Sequence, residues 1–474
     1  MKNLLPAAAV IAACMTSACT TAAETATPSA PSPKPNIVFI LIDDMGWRDV
    51  GFMGSKYYDT PNIDRLSIQG MRFNQAYAAC AVCSPTRASI MTGKYPARLH
   101  ITDWIAGEGD KAKVRFNIPK WQKSLPVTEE SIATVLKKAG YATAIAGKWH
   151  LGNEGARPEN HGFDTSIGVN RAGQPGSYFP PYGGMGSAGH VPGLDEDGVG
   201  RHNAYLTDRL TQESQKFIVK HHAAHPDQPF FLYLAHYAVH GPLQAKPDLI
   251  EKYRGRTPDG GQKYPVYGAM VDSVDQSVGA ILATLDQLKL RDNTLVVFTS
   301  DNGGVVHYPT TDNSPLRKGK GFAYEGGSRV PLCISWPGQI PAGETSTPVI
   351  STDFYPTLLA AAGVKPDHPV DGLDLTPLWR KSAAPSPIDT RDALFWHYPH
   401  YWNGTAVTPY SSVRQGEWKL IRCYESNRQE LYNLKNDPGE RQDLAKENPE
   451  QVKKLSDRLD AWLKETKAQL PTPK

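Results

Sequence analysis

Asn36-Ile-Val-Phe-Ile-Leu-Ile-Asp-Asp, residues 36–44, runs an apolar stretch straight into two adjacent carboxylates. The stretch is continuous rather than alternating, which marks a strand covered on both faces, as in a parallel sheet. Three further runs have the same form. Tyr141-Ala-Thr-Ala-Ile-Ala leads into Gly147-Lys148-Trp149-His150. Pro229-Phe-Phe-Leu-Tyr-Leu-Ala leads into His236 and then His240. Thr294-Leu-Val-Val-Phe-Thr-Ser leads into Asp301-Asn302. Sites in open α/β sheets lie at the carboxyl ends of the strands, so these four polar endings are predicted to converge. One Asp after a strand is ordinarily a turn residue. Four endings that carry Asp, Asn, Lys and His together read as a site.

Helical patterns separate the strands, which makes the fold α/β. Thr128 is placed to cap a helix with Ile132, Val135, Leu136 and Ala139 on one face, stopped by Gly140. Val274, Val278, Ile281, Leu285 and Leu288 repeat at helical spacing before the strand at 294. Beyond about residue 380 the texture changes. Short strand-like pieces at Ser411–Val413 and Trp418–Cys423 precede an amphipathic helix with Val452, Leu455, Leu459 and Trp462. This predicts a catalytic domain over 36–380 and a smaller α+β subdomain over 381–474, divided in the Pro/Ser/Ala stretch Lys381–Pro387.

The 474 residues are 40% hydrophobic and 21% charged, ordinary globular composition with room for a large core. A formal net charge of +3 gives no argument for nucleic acid or a membrane surface as partner. Residues 1–23 read as a secretory signal, with an apolar stretch from Leu4 to Ala13 too short to span a bilayer. Ile11-Ala12-Ala13-Cys14 resembles a bacterial lipobox, with Thr16-Ser17-Ala18-Cys19 a poorer second match. Lipidated export and soluble export both fit. Residues 24–35, rich in Thr, Ala, Ser and Pro, read as a tether. The remaining Cys80, Cys83, Cys333 and Cys423 are too few for a disulfide scaffold, and no second CxxC or CxxH completes a zinc site. Cys80 reads as a small buried residue, and His221, His222 and His225 as part of a solvated polar loop.

Cys83-Ser84-Pro85-Thr86-Arg87 poses the chemical question. Ser84 suits an N-cap and Pro85 the first helical position, with Gly93 ending a short helix. Cys83 would then sit at a helix N-terminus, where free N–H groups favour an anion. That is a fitting place for a nucleophile that works on an anionic substrate.

This segment, extended by Ala-Ser-Ile-Met-Thr-Gly, resembles the signature of the type I sulfatases of the alkaline phosphatase superfamily. "NIVFILIDDMGW", "GKWHLG", "TSDNGG", "LRKGKGFAYEGGSRVP" and "ELYNLKNDPGERQDLA" resemble further family motifs in the family's order. The resemblance implies an alkaline-phosphatase-like, mostly parallel central sheet flanked by helices. It implies conversion of Cys83 to formylglycine (3-oxoalanine) by a maturation enzyme. It implies one divalent cation held by Asp43, Asp44, Asp301 and Asn302, with residue 83 beside it. All four are hard oxygen donors, suited to Ca²⁺ or Mg²⁺ rather than zinc, and similarity to bacterial relatives favours Ca²⁺.

The resemblance also assigns roles. Arg87 would fix the formylglycine hydrate, Lys148 and Lys320 would clamp sulfate, His150 would handle the hydrate proton, and His240 would protonate the leaving alcohol. His236, one short turn from His240, competes for that last role. Asn170, Arg171, Asn313, Arg317, His397 and His400 are weaker candidates for sugar contacts. The implied activity is sulfate-ester hydrolysis on a carbohydrate, nearest in look to enzymes acting on galactose or N-acetylgalactosamine sulfates, in an exported bacterial protein. Two alternatives remain: a phosphonate monoester or phosphodiester hydrolase of the same superfamily, and a surface binding protein whose CxxC holds zinc or a disulfide.

Overall fold

The computed structural model describes residues 34–108, 114–183, 189–194, 204–307, 310–379, 386–402 and 405–474, besides Met1. The signal segment, Cys14, Cys19, residues 24–33 of the tether and 381–385 of the expected boundary lie outside the described residues.

Eight strands form the central sheet: β1 (Asn36–Ile42), β2 (Met71–Phe73), β3 (Ala142–Gly147), β4 (Thr165–Ile167), β5 (Phe230–Ala235), β6 (Thr294–Ser300), β7 (Leu332–Ser335) and β8 (Gly343–Thr345). Their order is β8-β2-β7-β6-β1-β5-β3-β4. Only β7 runs against its neighbours, so the sheet is mostly parallel, as the sequence predicts. The four apolar runs are its four central neighbours. Every residue of β1, β5 and β6 is buried, which explains why these strands show no alternation.

Register sets the site. Leu41 pairs with Ala235 and Thr299, Ile42 with Ser300, and Gly147 with Ala235. Asp43, Lys148, His236 and Asp301 therefore leave the sheet at one level. Helices cover both faces. Helix α1 (Cys83–Thr92) and helix α2 (Ile132–Lys138) lie in the core cluster that includes Phe39 and Tyr233. Helix α3 (Leu206–Ala224) and helix α4 (Pro265–Gln287) contribute to the cluster of Val38 and Ile40. Val274, Val278, Ile281 and Leu285 are buried, as their spacing predicts.

The helix starts differ from expectation. Ser131, not Thr128, caps α2, its Oγ accepting from Thr134 N at 3.1 Å. Ser131 stands immediately before the first helical residue, where a cap must be. Helix α1 begins at Cys83 itself with Val82 as N-cap, two residues before the predicted start. Ser84 Oγ instead accepts from Ile105 N at 3.0 Å, a tertiary bond that local sequence does not reveal. His221 and His222 belong to α3, and His221 is buried with Nε2 2.9 Å from Gln228 O, so only His225 fits the exposed loop end expected of all three.

The tail is an antiparallel meander of β9 (Leu394–Tyr398), β10 (Tyr410–Gln415), β11 (Trp418–Cys423) and β12 (Arg428–Asn433), covered by helix α5 (Pro449–Glu465). Leu455, Leu459 and Trp462 of α5 are buried against it. Fully buried Lys419 on β11 bridges Glu325 and Glu440 at 2.9 Å each. A buried ammonium flanked by two carboxylates ties the meander to the segment that carries Lys320.

Candidate active site

The predicted convergence occurs. Asp43 and Asp44 follow β1, Lys148 and His150 follow β3, His240 follows β5, Asp301 and Asn302 follow β6, and α1 points its first turn at them. Ligand atoms of Asp43, Cys83 and Asp301 all lie within 4.8 Å of one another. Lys148 Nζ donates to Asp43 Oδ2 at 2.6 Å, and Lys320 Nζ to Asp44 Oδ1 at 2.6 Å. Arg87 Nε donates to Asp301 Oδ2 at 2.9 Å and its Nη1 to Lys148 O at 2.9 Å. Asn302 Nδ2 donates to Asp44 Oδ1 at 2.8 Å, so Asn302 Oδ1 faces away from that bond.

These residues fit a divalent cation. Asp43 Oδ1 and Asn302 Oδ1 are buried and have no hydrogen-bond partner, a costly condition that a hard cation would relieve. The electrostatics point the same way. Burial pushes the Asp43 carboxyl up to about 8, with Lys148 opposing and Asp301 and Asp44 reinforcing. Burial also raises Asp44, but Lys320, His240 and Lys148 outweigh it and hold this carboxyl below its ordinary value. Burial raises the Cys83 thiol, against the pull of Lys148 and Lys320. The expected helix-terminus activation of the thiol is thus outweighed by desolvation.

The two site histidines are held differently. His150 Nε2 bonds Ile105 O, so Nε2 carries the hydrogen and Nδ1 is left as a buried acceptor without a partner. Burial, with Lys148 beside it, holds this imidazole well below its usual value. Gly173 lies against the ring, where a Cβ would come 2.2 Å from Cε1. His240 Nδ1 donates to Gly241 O at 2.9 Å, and its Nε2 lies 3.6 Å from Asp44 Oδ2. Burial first, then Lys320, lowers His240 to about 4. Its side chain keeps 19% of its surface exposed, so it sits at the mouth. His236 is wholly buried and bonds Ser277 Oγ at 2.9 Å. Of the pair, His240 alone reaches the mouth of the site.

The weaker candidates divide. Asn170 holds the loop over His150, its Nδ2 donating to Gln174 O at 2.8 Å. Arg171, beside it, is exposed. Asn313 Nδ2 is spent on Gly304 O and Lys318 O at 3.0 and 2.9 Å. Arg317 stacks on Tyr324 at 3.8 Å and donates to Tyr432 OH and Glu440 O. His397 bonds Ser411 Oγ and Gln469 O within the tail, and His400 bonds Thr102 Oγ1 across the seam between the tail and the larger part, both side chains buried. Sequence reasoning missed Ile105 and Gly173, which act through a backbone carbonyl and an absent side chain.

Asp44 and His150 both hold left-handed backbone, at φ 64 and φ 58. Residues with a Cβ adopt it at a cost, and such costs gather at functional sites.

A parallel sheet that gathers carboxylates, an amide and two lysines at its carboxyl edge is the build of the alkaline-phosphatase-like hydrolases. Within that class the chain belongs to the sulfatase family, whose profile matches residues 35–364. A second profile, N-sulphoglucosamine sulphohydrolase C-terminal, matches residues 318–469. The protein is a sulfuric ester hydrolase. It is similar to the N-acetylgalactosamine-6-sulfatase of Canis lupus familiaris, 35% identical over 450 residues that cover 87% of this chain and 82% of the relative. A sulfatase of Formosa agariphila is 34% identical over 497 residues, covering 91% and 89%. The solved structure of Ps i-CgsB in complex with k-i-k-neocarrahexaose matches with a TM-score of 0.75 at 32% identity, covering 90% of this chain and 92% of that one.

Proposed function

We propose that this sulfatase removes sulfate from a sulfated carbohydrate, with an N-acetylgalactosamine or galactose sulfate as the first substrate to test. The relatives named N-acetylgalactosamine-6-sulfatase support the sugar, at 35–38% identity. The carrying observation is Cys83 gathered with Asp43 and Asp301 between Lys148 and Lys320. A formylglycine hydrate made from Cys83 would supply the attacking oxygen, and a Ca²⁺ held by Asp43, Asp44, Asp301 and Asn302 would draw charge from the sulfate.

The chain's own groups complete the chemistry. Lys148 and Lys320 bind sulfate oxygens as negative charge builds on them. Arg87 fixes Asp301 and the backbone of Lys148, which orients both around residue 83. His150 accepts a proton at its unpartnered Nδ1, with Nε2 locked on Ile105. His240, with Nδ1–H on Gly241 O, gives the Nε2 proton of its doubly protonated ring to the leaving alcohol at the mouth, a charged form that the Asp44 carboxylate beside it favours. The domain reading stays as proposed, catalytic over 36–380 with a C-terminal subdomain. So does export, with or without a lipid at Cys14 or Cys19. Among the described residues no helix is long and apolar enough to cross a membrane.

The test is sulfate release by matured enzyme from regiodefined galactose and N-acetylgalactosamine sulfates, beside a phosphodiester. Sulfate release from at least one sugar, exceeding phosphodiester turnover, is expected. Preferred phosphodiester turnover would overturn the proposal.

A further inference from the structure

The tail reaches the site through a residue other than the histidines that sequence suggests. Trp402 lies between β9 and β10 and is half-buried. Its backbone N–H donates to Val407 O at 3.3 Å, and Thr405 Oγ1 donates to its carbonyl at 2.8 Å, so the Trp402 backbone is held at both its N–H and its C=O. The indole packs directly on Gly321, where a Cβ would fall 2.4 Å from Trp402 Cε3. Gly321 follows Lys320, and its N–H donates to Ala81 O at 2.7 Å, two residues before Cys83. Lys320 Nζ lies 5.9 Å from the centre of the Trp402 ring and 2.6 Å from Asp44 Oδ1. The ring thus stands one side chain away from where sulfate oxygens are bound. His307 meets it edge-on, with ring centres 5.1 Å apart at 70°. It lies close enough to Lys320 and Asp44 to feel both charges.

We infer that Trp402, flanked by His307, is the platform on which the C–H face of the sulfated pyranose rests. The inference rests on the carbohydrate reading above and names the residue that selects for it. An aromatic face excludes water and matches the row of C–H bonds on one side of a sugar ring. The C-terminal subdomain is thereby a part of the substrate site, while the charged groups that handle sulfate all come from the chain before residue 380.

The experiment compares wild type, Trp402→Ala and Trp402→Phe on N-acetylgalactosamine 6-sulfate, with inorganic sulfate as a competitive inhibitor. Sulfate engages the lysines but offers no C–H face. Trp402→Ala is expected to raise KM about tenfold with a smaller change in kcat, the size of one lost aromatic contact. Trp402→Phe is expected to recover most of that loss. The inhibition constant of sulfate should stay within about twofold of wild type. An unchanged KM in Trp402→Ala overturns the platform. So does a parallel rise of KM and the sulfate inhibition constant, which would make the ring a packing support for Lys320. Wild type that cleaves nitrophenyl sulfate but no sugar sulfate overturns the carbohydrate reading itself, and the platform with it.

Discussion

Lys148 Nζ lies 2.6 Å from Asp43 Oδ2, with neither side chain exposed to solvent. A buried ammonium beside a carboxylate that also faces Asp301 and Asp44 is the group to which the proposal gives the sulfate. Lys148→Ala should lower kcat/KM by about 10²–10³ on sugar sulfates and nitrophenyl sulfate alike, because the sulfate charge is common to both. The thermal midpoint should fall as well, since Asp43 loses its partner. A loss confined to one substrate would contradict the sulfate role.

Asp301 accepts from Arg87 and borders the unpartnered oxygens of Asp43 and Asn302. Asp301→Ala should abolish both bound divalent metal and activity, read by elemental analysis and sulfate release. Exhaustive chelation of wild type should do the same, with recovery on adding Ca²⁺. Full activity after chelation would remove the metal from the account.

His240 sits at the mouth while His236 is sealed against Ser277. A sugar alkoxide needs a proton as it leaves, and a nitrophenolate hardly does. His240→Ala should therefore slow sugar sulfates by about 10²–10⁴ and nitrophenyl sulfate far less. Equal losses on both substrates would place the acid elsewhere.

His236 also makes a pH prediction. Burial lowers its imidazole to about 3, against 6.5 for an ordinary histidine. Below pH 6.5 the unfolded chain takes up a proton that the folded chain refuses, so stability is full above that value and falls as pH drops toward 3. His397 and His400, lowered by burial to about 4 and about 3, add to the same slope. His236→Gln should flatten the acid limb of the denaturation midpoint. Identical slopes for variant and wild type would contradict this.

The four central strands were legible because total burial writes an unbroken apolar run, and the sheet register then delivers Asp43, Lys148 and Asp301 to one level. The helix starts at Ser131 and Cys83 were less legible, since several residues in each stretch can cap and tertiary bonds decide. Ser84 shows this directly, its hydroxyl taken by Ile105. The tail was legible as a meander. Its contribution to the site was not, because His397, His400 and Trp402 share one aromatic stretch and only the fold tells which faces Lys320. Ile105 and Gly173 left no signal, as a carbonyl and a missing Cβ have no side-chain chemistry to read.

The central claim is that Cys83 works as formylglycine. Its most direct test is mass spectrometry of the peptide carrying residue 83, taken from preparations of graded specific activity. The account predicts that activity rises in proportion to the fraction of residue 83 present as the aldehyde or its hydrate. It also predicts that Cys83→Ser, made in a host that matures only cysteine, is folded and inactive. A fully active preparation in which residue 83 is an unmodified thiol would contradict it.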